Sequence, residues 1–596
     1  MGVWPLVREL LFGGSPAPAK DPAPGKAPTG VERLAPSSQP MPDGAVAKDP
    51  YAREKRPAQV AGRSHMQAGG GLSADLGENL KAIQAVLGAS SDVVFRTLTI
   101  AGLQLQATVV YLDGLVENPA INDFILRPLM QRGEQIRQAV TQPPAARLPA
   151  EDGGASHPLL RHLQQFLVVN ASIAERTYFT HMIDDILAGS SVLLVDTVPA
   201  ALSIPQRGYE ERGVQEPPTE ALVRGPRDGF VESIRVNIAL LRRKLRDPNL
   251  RIQLLRVGRR TNTDVAICFI EDVANPKIVQ EIRTRIEGID IDGVLESGYL
   301  EQIIEDHHFS PFPQIQNTER PDRAVANLLE GRVVVLVDGT PFCLILPSVF
   351  NQFYQVPEDY YERFLIATMV RGIRLMALFF SLTFTSLYVA LISFHSEMIP
   401  TKFAVAVAGG RAGVPFPSVM EAFFMELAME ILREAALRLP KAIGPTVSIV
   451  GALVIGEAAV RAGVVSPLMV IVVALTSIGS FAVPSYSAAI ALRIVKFPII
   501  MAAGTLGLYG VMLAVIGLVV HLASLKSVGV PYLAPFAPLK AGDVKDTIFR
   551  LPLWAMTRRP AILRTGDETR MPHQASMLGQ ENLGIEGEVE TNDPQA

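Results

Sequence analysis

The sequence lacks the short signatures by which most enzymes are recognised. Its 596 residues contain no GxxxxGK(S/T) phosphate loop, no HExxH zinc motif, no GxSxG nucleophile elbow and no CxxC pair. Cys268 and Cys343 are the only cysteines and lie in separate apolar runs, so we expect two buried thiols rather than a disulfide framework or a four-ligand metal site. The adjacent His307 and His308 favour a surface turn over a metal site, because neighbours on a helix point in different directions. We therefore expect neither an enzyme nor a bound metal or cofactor.

A dominant sign of charge is also missing. The chain has 55 basic and 59 acidic residues and a formal net charge of −4, whereas nucleic-acid-binding proteins show a clustered basic excess. We therefore expect no nucleic-acid partner. What the chain has in excess is apolar residues, because its mean hydropathy is +0.25 and nearly all of the excess lies after Arg374. Its length exceeds what one hydrophobic core normally organises, so at least two folded domains are expected.

Residues 1–70 are rich in proline, alanine and glycine, as in SPAPAKDPAPGKAPTG. Such a segment buries too little apolar surface to offset chain entropy, and we expect it to be disordered. The first residues, MGVWPLVRELLF, hold too short an apolar run for an export signal and carry charges early. The soluble region that follows is therefore expected to stay in the cytosol.

Two stretches of the soluble region share one pattern of elements. The strand-like runs DVVFRTLTI and LQATVVYLD precede an Asn-Pro pair at 118–119, and RIQLLRVG and DVAICFIED precede another at 275–276. Asparagine caps helices and proline fits their first turn, so each pair of strands is followed by a predicted helix. The repetition predicts an α/β region of two related subdomains, 71–220 and 221–358. The alternative is a chance similarity of two strand–strand–helix units.

The last third of the chain predicts an all-α multipass membrane domain, residues 359–526. An apolar helix of about twenty residues crosses a bilayer. Four segments meet that requirement: 375–394, 442–460, 464–492 and 498–524. Arg371 and Arg374 precede the first segment, which places its N-terminal end in the cytosol by the positive-inside rule. Four crossings return the chain to that side, so the tail, 527–596, is expected to be cytosolic and disordered after about residue 565.

A proline interrupts the third of these segments. Pro484 lies in VPSYSAAI beside three hydroxyl side chains, and hydroxyls can satisfy a backbone carbonyl that a proline leaves free. This arrangement predicts either a structural kink or an ion or ligand site within the helix.

Residues 417–439, between the first two crossings, predict an amphipathic helix. Apolar side chains recur at helical spacing on one face, and glutamates lie on another. Two of the acids have an arginine one turn away, whereas Glu421 and Glu426 have no partner on the helix. Three interpretations stay open: an interfacial helix with a solvated face, a helix whose Glu421 and Glu426 line a water-filled vestibule and attract cations, or a fifth crossing.

The second crossing carries two stripes of residues on different faces. Small residues that allow close helix packing recur every four positions at Ser448, Ala452 and Gly456. The other stripe consists of valines followed by two charges, namely Val447, Val450, Val454, Glu457 and Arg461. Copies of this helix around an axis would form apolar rings that close by dewetting, followed by charged rings at the mouth. The alternative is a Glu457–Arg461 pair that only reaches toward the bilayer surface.

Long motifs in both regions resemble the GerA family of spore germination proteins, specifically its A subunit. In the soluble region these are SSDVVFRTLTI, VVYLDGLVENP, GPRDGFVESIRVNIALLRRKLRDPNL and NTERPDRAVANLLEGRVVVLVDGTPF. In the helical region they are RLPKAIGPTVSIVGALVIGEAAV, VPSYSAAIALRIVKFP and PYLAPFAPL, with a tail ending in TRRP. The resemblance extends from about Leu76 to Pro560. Stage V sporulation protein AF is a close relative with the same architecture.

The resemblance implies a germinant receptor subunit of the spore inner membrane. Its α/β region and both termini would face the spore core. Family A subunits are thought to form rings, most plausibly pentamers, that enclose a channel for monovalent cations and open when nutrients trigger germination. They act with a transporter-like B subunit and a lipoprotein C subunit. Carried onto this chain, the second crossing would line the pore, with Val447, Val450 and Val454 as the constriction and Glu457 as a cation-attracting ring.

Two other functions are compatible with the same segments. A secondary transporter would bind its substrate itself, but transporters usually have more crossings, with repeats inside the membrane part. Here the repeat lies in the soluble part. A non-conducting sensor or scaffold would use the α/β region for binding and the helices as an anchor. Ion flux in reconstituted protein separates these alternatives from a channel.

Overall fold

The structure, a computed structural model, describes residues 70–141, 157–166, 173–208, 216–439, 444–540 and 542–571. The predicted disordered segment lies outside these residues except for Gly70. The C-terminal tail is hydrogen-bonded as far as Met571, whose amide donates to the carbonyl of Thr557 at 3.2 Å. Ordered packing therefore continues a few residues past position 565.

The first part of the α/β region is one antiparallel five-stranded sheet with helices around it, in the strand order β1-β2-β4-β5-β3. Its strands are β1 (Val93–Ile100), β2 (Leu105–Leu112), β3 (Ala174–Arg176), β4 (Ser190–Val195) and β5 (Ala201–Pro205). Its helices are α1 (Leu76–Leu87), α2 (Asn118–Ile121, a π-helical turn Asn122–Leu126, and Arg127–Gln131), α3 (Gly133–Thr141), α4 (Pro158–Phe166) and α5 (Phe179–Leu187).

The second part repeats this topology. Its sheet has the order β6-β7-β9-β10-β8, which is the first order with each strand replaced by its counterpart. The strands are β6 (Leu250–Val257), β7 (Thr263–Ile270), β8 (Gln316–Thr318), β9 (Val333–Val337) and β10 (Cys343–Leu346). The helices are α6 (Ile234–Lys244), α7 (Pro276–Glu287), α8 (Ser297–Ile304) and α9 (Pro321–Leu329). The prediction of two related α/β subdomains is confirmed.

The two predicted Asn-Pro helix starts differ in the structure. Asn275 caps α7 as expected, because its side-chain oxygen accepts a hydrogen bond from the Lys277 amide at 3.0 Å. The cap predicted at Asn118 is wrong. Helix α2 begins at Asn118 itself, and Glu117 occupies the cap position. The side-chain Nδ2 of Asn118 instead donates a hydrogen bond to Asp113 Oδ1 at 3.1 Å.

Both cysteines are buried free thiols, as predicted. Cys268 lies in β7 and Cys343 at the start of β10, within the core of the second sheet. Burial raises the pKa of the Cys268 thiol to about 12, so the reactive thiolate form is scarce near neutral pH.

A buried ion pair joins the two subdomains. The Arg242 guanidinium on α6 donates from Nε to Asp92 Oδ2 at 2.7 Å and from Nη2 to Ser90 Oγ at 3.0 Å. Arg242 and Asp92 are both almost completely shielded from solvent. The pair is reinforced by the backbone, because the Ser91 amide donates to the Ile252 carbonyl on β6 at 2.9 Å.

In the described residues of the helical region the α-helices are α10 (Glu358–Tyr361), α11 (Phe364–Phe394), α12 (Thr401–Arg411), α13 (Ser418–Arg438), α14 (Gly444–Arg461), α15 (Pro467–Phe481) and α16 (Tyr486–Ser524). Within the described residues, α11 and α16 are long and apolar enough to cross a bilayer, while α15 is apolar but shorter. Many large apolar side chains on α11 and α16 are exposed. Lipid would cover them, as in other membrane helices.

The predicted third crossing is not one helix. Helix α15 ends at Phe481, α16 begins at Tyr486, and Pro484 lies in the connection, so its predicted position inside a helix is wrong. Proline disfavours helical backbone at the preceding residue, and Ser485 then caps α16 by accepting a hydrogen bond from the Ala488 amide at 3.4 Å.

Helix α16 is itself broken at Gly507. This residue has φ +63° and ψ −141°, a conformation that residues with a Cβ rarely adopt. A Cβ there would also lie 2.8 Å from His395 Cε1 and 2.9 Å from Phe394 Cβ at the end of α11. Without the break, 39 residues would extend about 58 Å, roughly twice the hydrocarbon thickness of a bilayer.

Replacing Arg242 with alanine should destabilise the α/β region. The substitution leaves the buried Asp92 carboxylate without its cation, a change that costs about 3–5 kcal/mol in similar pairs. Thermal unfolding of the full-length protein in detergent, followed by circular dichroism, measures the effect. Arg243→Ala, at the exposed neighbouring position, is the control and should change the midpoint little. Equal midpoints for the two variants would contradict the role given to the pair.

Candidate functional site

Helix α14 carries the predicted pore residues, and the structure describes the side chains of some of them. The side chains of Val447, Ser448, Val450 and Ala452 lie outside the described residues. Val454 is 56% exposed and its neighbour Leu453 is 67% exposed. Glu457 and Arg461 form the ion pair that was the alternative to a charged ring at the pore mouth, at 2.5 Å, and both are more than half exposed.

Two glycines of α14 lie at contacts with neighbouring helices. A Cβ on Gly451 would lie 2.7 Å from Leu432 Cδ1 of α13, and one on Gly456 would lie 3.4 Å from Val470 Cγ1 of α15. Gly456 is buried, whereas Val454, two residues away and therefore on nearly the opposite face, is exposed. Gly451, three residues before Val454, lies beside the valine stripe, so part of the surface next to this stripe packs on α13, while Val454 itself is exposed. The assignment of the valines to a pore stays a prediction.

The two glutamates without a partner on α13 find partners on other helices. The Glu421 carboxylate is fully buried. It accepts hydrogen bonds from Arg411 Nη2 on α12 and from the Ser466 amide before α15, both at 2.9 Å. Glu421 therefore fixes the end of α12 and the start of α15 against α13. A vestibule role for it stays a prediction.

Glu426 lies at the meeting point of four helices. Its carboxylate pairs with Lys496 Nζ of α16 at 2.5 Å and accepts a hydrogen bond from Thr385 Oγ1 of α11 at 2.8 Å. Thr476 Oγ1 of α15 donates to the same carboxylate at 3.3 Å. Glu426 and Lys496 are both buried. A buried pair of this kind needs each partner, because either charge alone in an apolar region is costly.

One turn further along α13, Glu430 extends the network. It pairs with Arg433 at 2.7 Å and with Arg493 of α16 at 3.2 Å. The Arg433 guanidinium also lies over the Phe481 ring, 5.1 Å from its centroid. A small cavity of about 20 Å³ lies among these side chains and those of Glu426 and Lys496, which is room for about one water molecule.

Sequence reasoning missed this cluster. It identified Glu426 on the amphipathic helix but did not connect it with Arg493 and Lys496, which lie between the predicted third and fourth crossings. The spacing of these residues could have predicted the cluster. The acids on α13 are four residues apart and the cations on α16 are three residues apart, so each pair spans about one helical turn and the two pairs can face each other. Three cations and two carboxylates give the cluster a formal charge of +1, so it is better suited to holding helices together than to attracting cations.

A second charge cluster fixes the base of α11. The Asp359 carboxylate on α10 pairs with Arg371 at 3.3 Å and also with Arg374. Arg371 is fully buried and its Nη1 reaches Asp546 Oδ1 of the tail at 3.0 Å. The Tyr360 hydroxyl donates to Asp546 Oδ2 at 2.6 Å, and burial raises the pKa of this phenol well above its usual value. The first membrane helix is therefore tied to the α/β region and to the tail.

Comparison with known proteins identifies the class to which this architecture belongs. Residues 81–562 match the family described as Bacillus/Clostridium GerA spore germination protein. The chain belongs to this family. It is the A subunit of a spore germinant receptor and a membrane protein, and the family consists of receptors rather than enzymes.

Individual relatives agree with this assignment. The chain is 43% identical to spore germination protein KA of Bacillus subtilis over 86% of its own length and 92% of the relative's. It is 30% identical to stage V sporulation protein AF of the same organism, over 82% and 94% of the two chains. The solved N-terminal domain of the A subunit of the Bacillus megaterium germinant receptor GerK3 is 36% identical, covering 47% of this chain and 98% of that one, with a TM-score of 0.36.

A double-mutant cycle should show that Glu426 and Lys496 are strongly coupled. Lys496→Met strands a buried carboxylate, so we expect a loss of about 3–5 kcal/mol, most of which returns when Glu426→Gln is added. Unfolding by SDS in mixed micelles reports the change. The exposed Glu434–Arg438 pair on the same helix is the matched control, with an expected coupling of about 0.5 kcal/mol or less. Equal coupling in the two pairs would overturn this assignment.

Proposed function

We propose that this A subunit assembles into a ring, most plausibly a pentamer, that encloses a nutrient-gated channel for monovalent cations in the spore inner membrane. The observation that carries the proposal is the exposed face of α14. Leu453 and Val454 present apolar surface to the outside of the single chain, and the charged pair Glu457–Arg461 follows one turn later. An apolar constriction followed by charged rings is a known way to build a gate.

The remaining faces of α14 support the same arrangement. Gly451 packs on α13 and Gly456 on α15 of the same chain, whereas Leu453 and Val454 are exposed and are free to meet other copies around an axis. Val447 and Val450 lie along the same stripe at helical spacing, together with Val454. The three valines form the constriction in this proposal, and Glu457 attracts cations at its mouth.

Topology and partners complete the proposal. The α/β region and both termini face the spore core, with four crossings carried by α11, α14, α15 and α16. A germinant receptor A subunit implies a complex with B and C subunits. We assign nutrient binding to the transporter-like B subunit and a supporting role to the lipoprotein C subunit. The cluster of Asp359, Arg371 and Asp546 then transmits movement between the α/β region and α11.

One observation favours a secondary transporter as the second candidate. Broken helices near the middle of the membrane often form transporter binding sites, and α16 is broken at Gly507. Flux measurements separate the two functions. A channel conducts in proportion to the electrochemical gradient once open, whereas a transporter saturates with its substrate.

Shortening the valine at the constriction should open the channel. We expect Val454→Ala, with the B and C subunits in liposomes, to leak K⁺ without nutrient, because a wider apolar ring stays hydrated. Val454→Phe should reduce flux even with nutrient, and Val450→Ala should leak like Val454→Ala. Val519→Ala on α16 is the control, since Val519 is 50% exposed and Val454 56%. If flux in the Val454 variants and the control matches that of the wild type, α14 does not line the pore.

Neutralising the charged ring should change ion selectivity rather than gating. Glu457→Gln removes the carboxylate and leaves Arg461, so we expect a several-fold fall in the permeability ratio of K⁺ to Cl⁻. The reversal potential under a KCl gradient across a planar bilayer measures the ratio. Glu434→Gln, an exposed acid on α13, should leave it unchanged. An unaltered reversal potential for Glu457→Gln would remove this residue from the conduction path.

A further inference from the structure

A fully exposed phenylalanine lies in the turn that follows α8 in the second subdomain. Within the described residues, Phe309 is the most exposed large apolar side chain. Tyr299 and Ile303 of α8 are each 42% exposed, and their spacing of four residues places them on one face of the helix. Apolar surface of this kind is unfavourable in water, and contiguous exposed patches often mark contacts with a partner or a membrane.

The turn that carries Phe309 is attached to the last turn of α16. Ser310 Oγ and His521 Nε2 form a hydrogen bond of 3.0 Å. Phe312 is 1% exposed and belongs to the same apolar cluster as Leu522 and Leu525 at the end of that helix. Because α16 is long and apolar enough to cross a bilayer, the turn lies where this helix joins the soluble region.

The exposed apolar surface of α16 extends to the same place. Val519 and Val520 directly precede His521 and are 50% and 63% exposed, and lipid covers such side chains on membrane helices. Phe309 is the chain neighbour of the serine that binds His521, and neighbouring Cα atoms are only about 3.8 Å apart. Its ring therefore adjoins a surface that the bilayer covers.

The backbone of the turn is already hydrogen-bonded within the protein. The Ser310 amide donates to the His307 carbonyl at 3.2 Å, and the Phe312 amide donates to Ser310 Oγ at 3.2 Å. The His307 amide donates to the side chain of Gln314 at 3.0 Å. Unsatisfied backbone groups are costly near hydrocarbon, so these bonds allow the turn to approach lipid without stranding those amides.

The acids beside Phe309 are also engaged within the protein. Asp306 pairs with Arg285 at 2.7 Å, and Glu305 accepts a hydrogen bond from the Gln314 amide at 3.2 Å. The exposed residues of the turn are Phe309 and the two histidines before it. Histidine and tyrosine can place an apolar body against lipid while a polar tip stays in water, so this composition suits the bilayer surface.

We propose that Phe309, with Tyr299 and Ile303 beside it, inserts into the boundary between headgroups and acyl chains of the bilayer. The occupant of this patch is lipid, and the contact holds the second subdomain against the membrane next to the end of α16. The proposal requires only that the chain is a membrane protein and is independent of the channel assigned to α14.

Tryptophan fluorescence can test this contact in the full-length protein. The chain has two tryptophans, Trp4 and Trp554, and replacing both with phenylalanine gives a silent background for Phe309→Trp. In phosphatidylcholine liposomes, lipids brominated near the top of the acyl chains should quench this tryptophan, because interfacial side chains lie about 5–10 Å into this boundary. Iodide in the water should quench it weakly.

Two further positions supply the references in the same background. Val520→Trp, on the exposed face of α16, should resemble Phe309→Trp. Met130→Trp, at a 56% exposed position of the first subdomain, should be quenched by iodide and at least about threefold less by brominated lipid, since a side chain in water does not reach the acyl chains. Melting curves of each variant in detergent show whether it is folded.

Two results would overturn the proposal. Quenching of the Phe309→Trp variant by iodide, with little effect of brominated lipid, would place the side chain in water. Protection from both quenchers would mean that a protein surface, such as a second copy of this chain, covers the patch instead of lipid. No ion flux is measured, so failure of the channel proposal would leave this result intact.

Discussion

The helical region depends on pairing its buried charges, because a charged side chain that leaves water without a partner strongly destabilises the fold. Arg371 is fully buried at the start of α11, and it is stable there because Asp359 and Asp546 lie on either side of it. Asp359 comes from the short helix before the membrane, and Asp546 comes from the tail, 175 residues after Arg371. The arginine can be buried only when all three segments are in place, so the end of the soluble region, the first membrane helix and the tail form one unit.

The same requirement shapes the interior of the helical region. Lys496 and Arg493 reach inward from α16, and Glu426 and Glu430 reach across from α13. These contacts satisfy the charged groups inside the chain, while Leu453 and Val454 on α14 are exposed. In the ring that we propose, such a subunit would offer an apolar helix face to identical neighbours without exposing a buried charge.

Much of the fold could be predicted from the sequence because its signals are local. Runs of β-branched and aromatic residues predicted the strands, and the Asn275 cap and the long apolar runs were visible without tertiary information. The errors at Asn118 and Pro484 concern where a helix begins or ends, which depends on neighbouring contacts such as Asp113 and Ser485.

The candidate sites depended on contacts that a linear sequence does not contain. No local rule pairs Glu426 with Lys496, 70 positions apart, until the crossing of α13 and α16 is known. The anchor of Arg371 is likewise assembled from three distant segments, because Asp359 and Asp546 meet this arginine only in the folded chain. The valine stripe, by contrast, follows from helical periodicity alone, so it could be predicted from the sequence.

The two cysteines have a practical consequence for work on the membrane helices. Both lie inside the second sheet, and the Cys268 thiol ionises only in strongly alkaline solution. Maleimide and methanethiosulfonate reagents attack thiolates that solvent can reach, so the natural thiols should stay silent in the folded chain. A single cysteine introduced along α14 could then carry a spin label or fluorophore in an otherwise unaltered background, and its accessibility could be followed as the receptor changes state.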